Sequence, residues 1–215
     1  MATTILVLGM DNTGKTTLVN NLFKHMRGLK LSGEIIKSPG PISSVEMINW
    51  VSEQVTKIRD SENDFFIFDR FCCFDEPVYG PIIRKTTPKF IEPMRKMIAL
   101  VNPIIVYARP KTEDIISFSD GREQMEGVVE NAKDLLMAYD YTVINAMRRF
   151  DVIHYDYNQD TVGELFSKIC NLEVHRDSME AALDITNDLL MNPGSPKTSL
   201  FIDIIKGEMI KKGMI

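Results

Sequence analysis

Ile5-Leu6-Val7-Leu8-Gly9-Met10-Asp11-Asn12-Thr13-Gly14-Lys15-Thr16-Thr17-Leu18 decides the fold. An apolar, β-branched run turns through G-x-x-x-x-G-K-T into an amphipathic segment, which is a phosphate-binding loop in the strand-to-helix context it requires. Gly9 and Gly14 let the backbone turn inward without Cβ clashes. Successive N–H groups from Asn12, Thr13, Gly14, Lys15, Thr16 and Thr17 then converge at a helix N-terminus, where the helix dipole also favours negative charge. In this loop Lys15 reaches the β- and γ-phosphates of a nucleotide and the Thr16 hydroxyl holds magnesium.

Outward from this loop, short β-type runs alternate with longer helical ones, the pattern of βα repeats wound into a mostly parallel sheet. Five strands are expected, over 4–8, 34–37, 64–68, 103–107 and 152–155. Between them Val45, Ile48, Val51, Val55 and Ile58 recur at helical spacing. Farther on Ala132, Leu135, Leu136, Tyr139, Val143 and Met147 do the same, and both sets read as core stripes. The expected architecture is a three-layer α/β phosphate-loop fold with a mostly parallel five-stranded sheet. Its core spans 1–172, with a short lid near 109–127 carried by the polar stretch from Lys111 to Gly127. A helical extension over 173–215 follows. Within it Asn192-Pro193-Gly194-Ser195-Pro196 breaks the chain, and the amphipathic stretch from Leu200 to Ile210 docks on the domain or on a partner. A homodimer is one option for the chain.

The run Asp64-Phe65-Phe66-Ile67-Phe68-Asp69-Arg70 is an apolar strand ending in an acid. It sets a carboxylate, Asp69, beside the phosphate loop to hold magnesium directly or through water. Arg70 points from the strand end toward the cleft, where a guanidinium clamps phosphoryl oxygens in bidentate fashion.

The loop from Gly9 to Thr17 together with Asp69-Arg70-Phe71 resembles the thymidylate kinase and deoxynucleoside kinase group. Glu76-Pro77-Val78-Tyr79-Gly80-Pro81-Ile82-Ile83-Arg84 is similar to thymidylate-kinase-like proteins of bacteriophages. The resemblance runs from about Ile5 to the Val152 strand. It implies a magnesium-dependent enzyme moving the γ-phosphoryl of ATP to a deoxynucleoside monophosphate, dTMP first among acceptors. Asp11 then matches the loop acid that contacts the sugar 3′-hydroxyl, and Arg70 the arginine at the acceptor phosphate. Tyr79 lies one place beyond the aromatic that senses the sugar 2′ position. The arginine that cellular members place near Ser38-Pro39-Gly40-Pro41 is absent, and Lys37, Arg84 or Arg95 can replace it. The extra helical segment that reads the base is also absent, because only about 26 residues separate the second and third strands. Trp50, Phe71, Phe74 and Tyr79 remain as stacking surfaces and Arg95 as an edge reader. Variable positions of the phosphate loop carry no cation, so the transition-state charge calls for a lid arginine. Arg122 is the first candidate and Arg109 the second.

With 215 residues, 44% hydrophobic and 26% charged, the chain suits one well-buried α/β core. No apolar run approaches the roughly 18 residues of a membrane span and no signal peptide is visible, so a cytoplasmic protein is expected. A net charge of −5 gives no pull toward nucleic acid. Three cysteines, two adjacent as Cys72-Cys73, make neither a disulfide framework nor a zinc site. Three rival functions stay on the page. A deoxynucleoside kinase would need a base near the 5′-hydroxyl, for which Asp69 can serve. A kinase of modified bases in phage DNA conflicts with the acidic balance. A nucleotide-binding switch conflicts with the absence of N-K-x-D and of D-x-x-G after the third strand.

Overall fold

The computed structural model describes residues 2–117 and 127–191. Five parallel strands, β1 (Thr3–Leu8), β2 (Gly33–Lys37), β3 (Phe65–Asp69), β4 (Ile104–Ala108) and β5 (Asp151–Tyr155), form one sheet in the order β2-β3-β1-β4-β5. All five strands are the expected ones. Each begins or ends within a residue or two of its expected bounds, and β3 includes Asp69, which pairs in register with Val7 and Lys37.

β1, β3 and β4 are buried on both faces, which is why they read as unbroken apolar runs and not as alternating ones. One face, through Leu6, Leu8, Phe66, Phe68 and Ile105, packs against α2 (Ser44–Asp60), α3 (Cys72–Tyr79) and α4 (Ile91–Ala99). The alternate residues point the other way. There α1 (Lys15–Gly28) lays Phe23 edge-on against Phe65, ring centroids 5.7 Å apart. The helices α5 (Thr112–Ser117) and α6 (Ala132–Ala146) follow β4, and α7 (Val162–Met191) follows β5. Packing divides the chain into a unit Met1–Ile169 and a unit Cys170–Ile215.

Two stripe positions differ from expectation. Val45 lies in the first turn of α2, two residues after its capping residue Ser43, and Met147 lies past the last buried turn of α6; both are exposed. The polar stretch after β4 is not loop throughout, since Ile115 is buried and seats α5. Arg122 and the rest of residues 118–126 of the expected lid lie outside the described residues. Among those residues no helix is long and apolar enough to cross a membrane.

Candidate active site

The β1 crossover runs to β2 on one side and the β4 crossover to β5 on the other, which leaves a crevice outside the carboxyl ends of the central strands. The phosphate loop lies at that edge. Gly9 has φ +147°, and a Cβ there would meet the Ala108 carbonyl oxygen at 2.6 Å and Thr13 Oγ1 at 2.7 Å. Only glycine lets the end of β1 pass so close to the end of β4. Thr13 Oγ1 donates to the Met10 carbonyl at 2.9 Å, and Lys15 Nζ donates to the same oxygen. Lys15 is buried, and burial first, then the Arg70 charge, pulls its ammonium down to about 7 against the opposing carboxylates of Asp11, Asp75 and Asp69.

Thr16 Oγ1 donates to Asp69 Oδ2 at 3.0 Å, joining the helix start to the end of β3. A hydroxyl and a carboxylate side by side are hard oxygen donors of the kind Mg²⁺ takes when phosphates and waters complete its octahedron. Among the described residues no group of three or more His, Cys, Asp and Glu forms a metal cage. That donor set fits a magnesium shared with a nucleotide and does not fit a resident zinc.

Arg70 follows Asp69 with φ +70°, a left-handed conformation uncommon outside glycine, held by its N–H on the Val7 carbonyl at 3.1 Å. The turn aims the guanidinium into a polar knot. Its Nη2 donates to Asp11 Oδ1, its Nη1 to the Tyr139 hydroxyl at 3.4 Å, and Asp75 Oδ1 lies 3.6 Å from Nη1. Tyr139 donates to Asp75, whose other oxygen accepts the Phe71 N–H at 2.8 Å. Tyr79 closes the knot: its hydroxyl accepts from the Asp11 N–H at 3.1 Å and donates to Asp11 Oδ2 at 2.9 Å, while the Arg70 guanidinium lies 5.2 Å from its ring centroid. Burial works against the Arg70 charge, yet Tyr139, Tyr79, Asp75 and Asp11 outweigh it and leave the group well above its ordinary value. Burial pushes the Asp75 carboxyl up, opposed by Arg70 and by the Tyr139 and Phe71 hydrogen bonds.

Asp11, Lys15, Thr16, Asp69, Arg70 and Tyr79 are thus brought together. The other expected residues divide. Arg84 sits in a π-helical turn (Gly80–Arg84), pairs with Glu76 at 2.5 Å and approaches the far side of this group, 6.0 Å from the Tyr79 centroid. Phe71 is fully buried and Trp50 half-buried, their rings 5.1 Å apart within the apolar core. Phe71 therefore contributes its backbone and not its ring to the site. Arg95 is engaged elsewhere: its Nε donates to the Cys73 carbonyl at 3.2 Å, the oxygen that Pro77 within α3 leaves without its helical donor, and it stacks 5.0 Å from Phe74. Arg109 grips Asp140 of α6 with Nε and Nη2 at 3.0 and 3.1 Å, and Tyr107 donates to the same carboxylate at 2.7 Å. It fastens the start of the lid region to the core.

Asp75 and Tyr139 were not foreseen as site residues. Asp75 follows the apolar stretch Phe71-Cys72-Cys73-Phe74 and is itself followed by Glu76, so the sequence around it carries no signal of a site role; Tyr139 reads only as a core position. Ser38 Oγ, just past the carboxyl end of β2, is buried with no hydrogen-bond partner among the described residues, and the Ser38 N–H donates to the Asp69 carbonyl at 3.2 Å.

No family model matches the sequence and no curated protein matches it. Solved structures do resemble it. YorR from Bacillus subtilis, in complex with phosphorylated GDP, superposes with a TM-score of 0.58 at 22% identity, covering 82% of this chain and 98% of that one. Deoxyadenosine kinase from M. mycoides with bound dATP gives 0.52 at 19% identity, over 78% of this chain and 99% of that one. The same enzyme with the products dCMP and a flexible dCDP gives 0.51 at 18% identity, over 81% and 99%. The fold is that of the P-loop NTPases. Within it, the Gly9–Thr17 segment joins β1 to α1, and Asp69 ends β3 beside it.

Proposed function

We propose that the chain is a magnesium- and ATP-dependent deoxynucleoside monophosphate kinase, with dTMP the first acceptor to test. The observation that carries the reading is Arg70: β3 delivers a cation to Asp11 of the P-loop, one residue beyond the Thr16–Asp69 pair, so donor and acceptor groups share one cleft. The solved structures of similar fold support a phosphotransferase, since one of them is a kinase holding a nucleoside monophosphate and diphosphate as products.

Phosphoryl transfer asks a protein for charge neutralisation, in-line placement and exclusion of water, and for little covalent work. P-loop N–H groups and Lys15 hold the triphosphate. Thr16 and Asp69 would hold Mg²⁺, which neutralises the β- and γ-oxygens when bound. Arg70 binds the acceptor phosphate, its Nε having no partner among the described residues, and Asp11 accepts from the acceptor sugar. Asp75 and Tyr139 keep the guanidinium aimed. A phosphate acceptor is already anionic, so no general base is needed. Arg122 is the proposed lid cation. A deoxynucleoside kinase is the second reading, favoured by the deoxyadenosine kinase among the similar structures. It would need a carboxylate free to take the 5′-hydroxyl proton, yet Asp69 accepts from Thr16, and Asp11 accepts from Arg70 and Tyr79.

The test supplies ATP and Mg²⁺ with each dNMP, each deoxynucleoside and a single-stranded oligonucleotide, and follows ADP release. Turnover on one or two dNMPs, lost by a factor of about 10² or more in Lys15→Ala, is expected. Turnover on deoxynucleosides alone would establish the second reading. ADP release on none of them, with nucleotide still bound, would overturn both in favour of a switch.

A further inference from the structure

A groove of about 390 Å³ opens between α4 and the turn that joins α6 to β5. Its volume is that of a pocket for a small organic ligand and exceeds what a bare ion fills. Arg95 from α4 and Arg148 and Arg149 from the turn line it, against a single acid, Glu92. Both oxygens of that acid are engaged: Oε1 lies 3.3 Å from Arg95 Nη1 and Oε2 3.3 Å from Arg149 Nη1. Arg148 is exposed and makes no ion pair among the described residues. Positive charge therefore exceeds negative in the groove, and no second acid lines it.

The cations are set before any ligand arrives. Arg149 and Phe150 both donate their N–H groups to the Ala146 carbonyl, at 2.9 and 3.0 Å, and Arg148 donates to that of Asn145 at 3.4 Å, which closes the turn. Phe150 anchors the turn in the core, its ring edge-on to Phe74 of α3 with centroids 5.7 Å apart. Arg95 is fixed by its Nε on the Cys73 carbonyl and by its stacking on Phe74. Its side chain is only 13% exposed, so little rotamer freedom is left to lose on binding.

We propose that this groove binds a nucleoside 5′-monophosphate, apart from the P-loop cleft. A guanidinium fork meets phosphate oxygens two at a time, and a phosphate monoester carries close to two negative charges at pH 7. Two charges are what the three guanidiniums hold in excess of Glu92. A triphosphate would exceed that balance, and inorganic phosphate would leave most of the volume unfilled. Tyr141 and Phe150 line the groove with the cations, and an aromatic wall beside guanidiniums suits a planar base carried next to its phosphate. Among the described residues, no lining side chain bonds to the P-loop or to the knot around Arg70.

Amide spectra of the isotope-labelled full chain, titrated with dTMP, test the proposal at the turn itself. The signals of Arg148, Arg149 and Phe150 should shift and saturate. Inorganic phosphate should move them at least about tenfold more weakly, and thymidine should leave them in place. Arg148→Glu should raise the dTMP midpoint at least about tenfold, whereas Glu92→Gln, which frees two guanidiniums, should lower it. Both positions are exposed, so an unchanged thermal midpoint verifies folding, and opposite directions cannot come from general loosening. Turn signals that do not saturate, phosphate binding as tightly as dTMP, or two variants that shift the midpoint the same way would each overturn the proposal. So would a midpoint that Arg148→Glu leaves unchanged, because the shift would then be relayed from the P-loop cleft. The readout is local and needs no turnover, so the outcome is independent of the kinase reading.

Discussion

Lys15 carries an unusual burden for a lysine. Burial and the neighbouring Arg70 bring its ammonium down from 10.5 to about 7, whereas phosphate oxygens favour its charged form. At pH 8 the free protein therefore holds this group mostly neutral, and nucleotide binding takes up close to one proton. Affinity should weaken as pH rises from about 7, by up to about tenfold per unit until the pKa of the complex is passed. Calorimetry of ADP binding at pH 8 in two buffers of different ionisation enthalpy reads the uptake directly, and Lys15→Met should abolish it. Equal enthalpies in the two buffers would contradict the shift. The motif alone identifies Lys15, Thr16 and the glycines, because spacing dictates which backbone groups converge. It says nothing of Asp75 and Tyr139, whose roles arise from residues 64 positions apart meeting at one guanidinium.

Among elements, β1 and β4 come close together at the crevice. Gly9→Ala would push a methyl group against the Ala108 carbonyl and Thr13 at a φ that other residues avoid. It should cost about 2–3 kcal/mol in urea unfolding and distort the loop that follows. Gly28→Ala, in α1 with nothing within 4 Å, is the control and should be neutral or stabilising. A neutral Gly9→Ala would show that the strand ends are free to part. Strands and long helices were legible because apolar periodicity reports burial directly. Arg95 was not, since its role answers a proline in another helix: Pro77 withholds a donor from Cys73, and a guanidinium 22 residues on fills the place. The short α5 escaped for a related reason: among its described side chains Ile115 is the buried one.

Over the whole molecule, the sheet order and the site at its carboxyl edge follow from one loop and the alternation of elements, while the boundary of the core rests on α7. Leu165 and Ile169 are its fully buried residues nearest the boundary. A chain ending at residue 178 should keep nucleotide binding and its thermal midpoint. One ending at residue 160 loses both side chains, each worth about 2–5 kcal/mol, and should unfold at markedly lower temperature. Equal midpoints for the two would move the boundary. Trp50, the chain's single tryptophan, is half-buried, 5.1 Å from the ring of Phe71 and 6.1 Å from that of Phe68. Those two rings flank Asp69 and Arg70 in the chain. Excited at the red edge of its absorption, this protein thus emits from one indole beside the strand end that carries Asp69 and Arg70, a built-in optical probe that needs no dye.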